Sequence, residues 1–108
     1  MECTLPRTDL LRVVTHAAGA CRHVKDQPIL SHVLLHVDAT ALRVTGSNLE
    51  LSAAGSVAAH VSVPGSVCVD GQRIASLLKT LPGDQVLMRA TDKEQMELQS
   101  GRSTYRLT

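Results

Sequence analysis
The sequence predicts an α+β domain in which two helices lie on one side and antiparallel sheet on the other. Three observations point there. The order strand, helix, three strands occurs twice along 108 residues, with Pro64-Gly65 between the two runs. Each run joins one helix of amphipathic period to strands of regular alternation, so each presents an apolar face that needs covering. The length suits a single domain, 1–108, made of pseudo-repeat halves of about 1–63 and 64–108. The repeat lies in element order and not in residue identity.

Met1 to Leu5 alternates weakly as a first strand. Thr8 is placed to cap a helix carrying Leu10, Leu11, Val14, Ala17 and Ala18 inward, with Gly19 as its stop. A polar connector, Arg22 to Gln27, leads to Pro28, which opens a stretch where Val33, Leu35 and Val37 alternate with His32, Leu34 and His36. Asp38-Ala39-Thr40 reads as a hairpin turn. Leu42 and Val44 then alternate with Arg43 and Thr45, Gly46-Ser47-Asn48 breaks the run, and Leu49, Leu51 and Ala53 open a third strand continuing to Val63. Beyond Pro64-Gly65, Val67 to Val69 forms a short strand and Asp70 caps a helix with Ile74, Leu77, Leu78 and Leu81 inward. Pro82-Gly83 stops it. Val86, Met88 and Ala90, then Met96 and Leu98, then Ser103, Tyr105 and Leu107 mark three closing strands, turned at Asp92-Lys93 and Ser100-Gly101.

Composition narrows the function. Eleven Lys and Arg against ten Asp and Glu leave a net charge of +1, which excludes a protein that grips nucleic acid tightly as one copy. Without Trp or Phe, and with Tyr105 alone among aromatics, the stacking surfaces of OB and RRM binders are missing. No run reaches the ~20 apolar residues of a membrane span and no basic-then-apolar leader is visible, so the expected location is the cytoplasm. Cys3, Cys21 and Cys68 are widely spaced with no CxxC, which points to buried free thiols rather than disulfides or zinc. His16, His23, His32, His36 and His60 form no constellation with a nucleophile or carboxylate pair, and the glycines sit singly at turns. His32 and His36 would be about 13 Å apart in a strand, beyond shared-ligand reach. No catalytic residue, metal or cofactor is expected.

Five segments in register resemble one family: Asp9-Leu10-Leu11; Gln27-Pro28-Ile29-Leu30 with Val33-Leu34-Leu35; Leu42 through Glu50; Leu81-Pro82-Gly83; and Ser100-Gly101-Arg102-Ser103. Together they span Met1 to Thr108 and are similar to the first domain of the bacterial sliding clamp, the beta subunit of DNA polymerase III. The resemblance implies a DNA-clamp-like fold and a non-enzymatic role in replication. Full-length members carry three such domains and pair head to tail into a ring that encircles duplex DNA and tethers the polymerase.

By that resemblance the helices face phosphate without reading bases, as a sliding tether requires. The candidate DNA contacts are Arg7, Arg12, Arg73 and Lys79, with His16 on the same helix as Arg12; a solvated helix face is the alternative for all of them. The family's DNA-touching arginine in the loop after the first helix falls on Val24, and Arg22, His23 and Lys25 flank it as substitutes. The resemblance also implies a ring-closing joint on the second helix and last strand, at Arg73, Arg102, Tyr105, Arg106 and Leu107. The alternative for Tyr105 and Leu107 is an ordinary strand buried in its own core. The opposing edge in the family is acidic and apolar, whereas Ser56 to Val63 here holds no carboxylate, so a homohexamer lacks charge pairing. The family's pocket for polymerase and repair peptides lies in its second and third domains and has no counterpart in this chain. Expected partners are therefore duplex DNA, weakly and without sequence preference, other clamp domains or further copies, and components of DNA polymerase III. An alternative function is an interaction module that docks on the free edge of a full-length clamp and modulates ring closure.

Overall fold
The computed structural model describes residues 1–20, 32–47, 52–92 and 95–107. Its elements are β1 (Glu2–Pro6), α1 (Arg7–Ala18), β2 (His32–Val37), β3 (Ala41–Ser47), β4 (Ser52–Ala58), β5 (His60–Val63), β6 (Gly65–Asp70), α2 (Gly71–Thr80), β7 (Gln85–Asp92), β8 (Gln95–Ser100) and β9 (Ser103–Leu107). The expected strand opening at Pro28, the breaker Asn48, the strand start at Leu49 and Leu51, and Lys93 of the expected turn lie outside the described residues.

Two antiparallel sheets form, ordered β5-β1-β7-β8-β9 and β4-β3-β2-β6. α1 packs on α2 and on β3 and β4. The fold is the α+β arrangement of two helices against antiparallel sheet. β1 does not join the strands that follow it but inserts between β5 and β7, while β6 pairs with β2, Val33 opposite Val69 and Leu35 opposite Val67. One buried cluster unites both sheets and both helices: Leu5, Leu10, Val14, Leu35, Leu42, Ile74, Leu78, Met88 and Leu98 are all at most 1% exposed.

The helix ends follow local chemistry. Asp70 caps α2 as expected, accepting from the N–H groups of Gln72 and Arg73, each at 3.0 Å. Thr8 does not cap α1. That helix starts at Arg7, two residues earlier than a Thr8 cap would place it, after Pro6, whose side chain offers no hydrogen bond, and the Arg7 N–H instead donates to the Asp84 carbonyl at 2.7 Å. Val13, unassigned from sequence, is buried with Leu10, Val14 and Ala17, whereas Leu11 and Ala18 are half-buried. Asp38 builds the β2–β3 turn by accepting from the Thr40 and Ala41 N–H groups, bonds that also hold its carboxyl below the usual range.

The strand expected to run to Val63 breaks at Ala59. Its N–H donates to the Thr40 carbonyl instead of extending the β3–β4 ladder, and the chain crosses to the other sheet as β5. The strand after Pro64 is longer than expected because its pairing with β2 begins at Gly65, opposite Val37.

Of the thiols, Cys3 is buried and Cys68 is exposed, which corrects the expectation for Cys68; Cys21 lies outside the described residues. Burial, the largest influence, pushes the Cys3 thiol from 9.0 up to about 11. A raised thiol pKa means the folded state holds a proton that the unfolded chain gives up, so its stabilisation is full below about pH 9 and is lost as pH rises toward 11. Thermal melts between pH 8 and 11 should therefore show wild type losing about 2 kcal/mol more than Cys3→Ala. Parallel curves would place the thiolate in contact with water.

Candidate joining edge and basic helix faces
β9 is one of the two edge strands of its sheet, β5 being the other, and is bonded to β8 along one side only, with Leu98 opposite Tyr105 and Met96 opposite Leu107. Alternate residues of such a strand direct their N–H and C=O groups away from the sheet, ready to add another strand. Tyr105 and Leu107 are half-buried and pack on the core, while Thr104 and Arg106 are exposed. α2 runs alongside and presents Arg73 to solvent, because the buried positions Ile74 and Leu78 turn its opposite face inward.

Between β9 and α2 lies a cleft of about 450 Å³ whose walls include Arg73, Leu77, Tyr105, Arg106 and Leu107. Four of the five residues expected at a joint thus meet in one groove. Arg102 does not join them: it sits exposed in the β8–β9 turn, beside Gly101 with φ of 59°. The two-residue hairpin needs a positive φ, so the strand starts at Ser103, one residue later than a joint at Arg102 requires. Gln72, Ser76 and Leu77 also line the groove and were not assigned to it from sequence. Leu77 was placed in the core; it falls at the margin of the apolar stripe and is half-exposed. The hairpin is anchored from below. Ser100 is buried and accepts the Gly83 N–H at 2.8 Å, and a Cβ at Gly83 would meet the Ser100 Oγ at 2.6 Å.

The helix cations divide by environment. Arg12, Arg73 and Lys79 are exposed. Arg12 stands 3.8 Å from Asp9 one turn earlier, an exposed pair of small energetic weight. Arg7 is half-buried, and its Nη1 donates to the Leu78 carbonyl at 3.2 Å, tying the start of α1 to the end of α2, where a cation also suits the helix dipole. Arg22, His23, Val24 and Lys25 lie outside the described residues.

A second groove, about 290 Å³, lies between α1 and β4, an edge strand of the four-stranded sheet, and is lined by Arg12, Val13, His16, Ala54, Gly55 and Ser56. Gly55 keeps it narrow, since a Cβ there would touch Val13 Cγ1 at 3.4 Å. No group of three or more His, Cys, Asp or Glu among the described residues is placed to hold a metal ion. Nor is any described helix long and apolar enough to cross a membrane.

The family model for the DNA polymerase III beta subunit, N-terminal domain, matches residues 1–108. The chain belongs to that family. Among relatives of this clamp-family domain, the beta sliding clamp of Pseudomonas putida is 30% identical over 109 residues, covering 100% of this chain and 30% of the relative. That of Escherichia coli K12 is 28% identical over the same span, with the same coverage. A crystal structure of the DNA polymerase III subunit beta from Pseudomonas aeruginosa superposes with a TM-score of 0.91 at 30% identity, over 100% of this chain and 30% of that one. The Caulobacter crescentus beta sliding clamp gives 0.93 at 25% identity, over 100% and 29%. The chain thus spans about three-tenths of the length of the relatives it matches.

Proposed function
We propose that this domain, 1–108, is one non-enzymatic segment of a cytoplasmic clamp ring that encircles duplex DNA and tethers DNA polymerase III. The observation that carries this is the free β9 edge with its groove beside α2, in a domain matching the family over its whole length. In this reading Arg73, Tyr105, Arg106 and Leu107 receive the edge of another clamp domain, by main-chain hydrogen bonds for affinity and by charge for partner choice. Arg102 guides approach from the turn. Arg12, Arg73 and Lys79 face the phosphates, joined by Arg22, His23 and Lys25, and Arg7 contributes through the helix pair it ties together.

Isolated copies bind DNA weakly on this reading, because few cations contribute and a ring holds by topology. Duplex titrations should give dissociation constants of about 10–100 µM, rising steeply with salt and equal for unrelated sequences. Tight binding by one copy, or a base preference, contradicts it. The same open edge also supports docking onto a full-length clamp, which would modulate ring closure; a heterocomplex formed on mixing, without DNA, distinguishes that role.

A further inference from the structure
Strand register sets Ser56, Arg43, His36 and Ser66 side by side in one row across the four-stranded sheet, and from this row we infer a site for a phosphoryl dianion, as free phosphate or a phosphate monoester. The inference is independent of the clamp reading, because the row lies on the sheet face turned away from the core and both helices.

Alternation fixes that orientation. Leu35, Val37, Leu42, Val44, Val57 and Val67 are buried in the cluster shared with the helices, so Arg43, His36, Ser56 and Ser66 stand exposed on the other face. Neighbouring strands about 4.8 Å apart put the Arg43 and His36 side chains within reach of one small anion. The donors suit it. A guanidinium presents a planar fork that matches two phosphate oxygens, and the imidazole and flanking hydroxyls can donate to the rest. Ser66 already positions His36, its Oγ 2.7 Å from Nδ1; when the hydroxyl donates there, the Nε2–H is left to donate to the anion. Arg43 is in no ion pair among the described residues. Its neighbours on this face include Ala41, Thr45, Ala54 and Leu34, none of them charged. The acid nearest in register is Asp38, just past β2, and its Oδ1 accepts from the Thr40 and Ala41 N–H groups. An imidazolium at His36 would face the Arg43 guanidinium directly, a like-charge pairing across strands that destabilises until an anion bridges it.

Phosphate titration of the isotope-labelled chain by NMR tests this, at about pH 7.5, where a phosphoryl group carries nearly two charges, with ionic strength held constant by chloride. Resonances of His36, Arg43 and Ser66 should shift together and saturate with a dissociation constant of about 1–10 mM, the strength of an exposed site. Arg43→Gln should weaken binding about 10-fold or more, and His36→Gln about 3-fold. Arg89→Gln, which removes a cation from the other sheet, should leave it unchanged. Adenosine monophosphate is the second probe: equal or weaker affinity assigns free phosphate to the site, and affinity tighter by about 3-fold or more assigns a monoester. If Arg43→Gln loses its native circular dichroism, His36→Gln with Ser66→Ala makes the same comparison, with an expected loss of about 10-fold. Shifts that never saturate, that chloride reproduces, or that survive these substitutions overturn the inference. Failure of DNA binding on the helix side leaves the phosphate titration unchanged, so the two readings fail separately.

Discussion
Leu78→Ala lowers the stability of the domain by about 3 kcal/mol, and its melting temperature by at least about 10 °C. Leu78 is fully buried, lies where α2 faces α1, and belongs to the cluster uniting both sheets, so truncation leaves a cavity that close packing on several sides cannot collapse. Domains of this size have only ~5–15 kcal/mol to lose. The adjacent residue is the control. Leu77 is half-exposed in the wall of the β9 groove, and Leu77→Ala should cost about 1 kcal/mol or less while removing apolar contact from a docked edge. Thermal melts of the two variants compare them directly; equal losses would mean that α2 is rotated relative to the face described.

The second large effect concerns docking. Tyr105→Ala with Arg106→Ala should weaken complex formation with a full-length clamp about 30-fold or more, the scale of losing roughly 2 kcal/mol at an interface anchored by an aromatic and an arginine. Both residues line the groove, one half-buried against the core and one exposed, so the pair removes apolar and charged contact together. Arg102→Ala, altering only the turn, should shift affinity by about 3-fold or less, as rim charges do. Calorimetric titration supplies the numbers. If the double variant loses its native circular dichroism, Tyr105 is a core residue first; if Arg102→Ala proves as damaging as the double variant, the joint extends around the hairpin.

The strands that face one way to the core and the other to water were legible in the sequence. Val33, Leu35 and Val37, or Met96 and Leu98, declare themselves by alternation, and each is buried. Asp70 was legible as a cap because an aspartate before a helix acts through its immediate neighbours. What alternation does not carry is partner choice across long separations. The break at Ala59 depends on a carbonyl at Thr40, and the cap of α1 depends on Asp84, neither of which is near in sequence. The candidate site divides the same way: the residue types at Arg73, Tyr105, Arg106 and Leu107 were readable, but their meeting in one groove required the fold to bring α2 and the last strand to the walls of the same cleft. Arg102 lies outside that groove because a two-residue hairpin takes it from the strand. Arg7, an apparent surface cation, is drawn inward by a carbonyl seventy-one residues away.

The insertion of β1 between β5 and β7 sets the timing of folding. The first strand to leave the ribosome is stranded until its neighbours exist, since the Glu2–Arg89 ion pair closes a loop of 87 residues. At ~5–20 residues per second, synthesis alone separates β1 from β7 by several seconds. Through that interval Cys3 and Leu5, buried in the finished domain, have no sheet to enter. Neither sheet can be completed from a chain ending near residue 63, because the four-stranded sheet takes β6, and the five-stranded sheet β7, β8 and β9, from the far side of that point. Folding is therefore a late, concerted event over the millisecond-to-second range of non-local β topologies, and a nascent chain stalled halfway is a substrate for chaperones or proteases rather than half a domain.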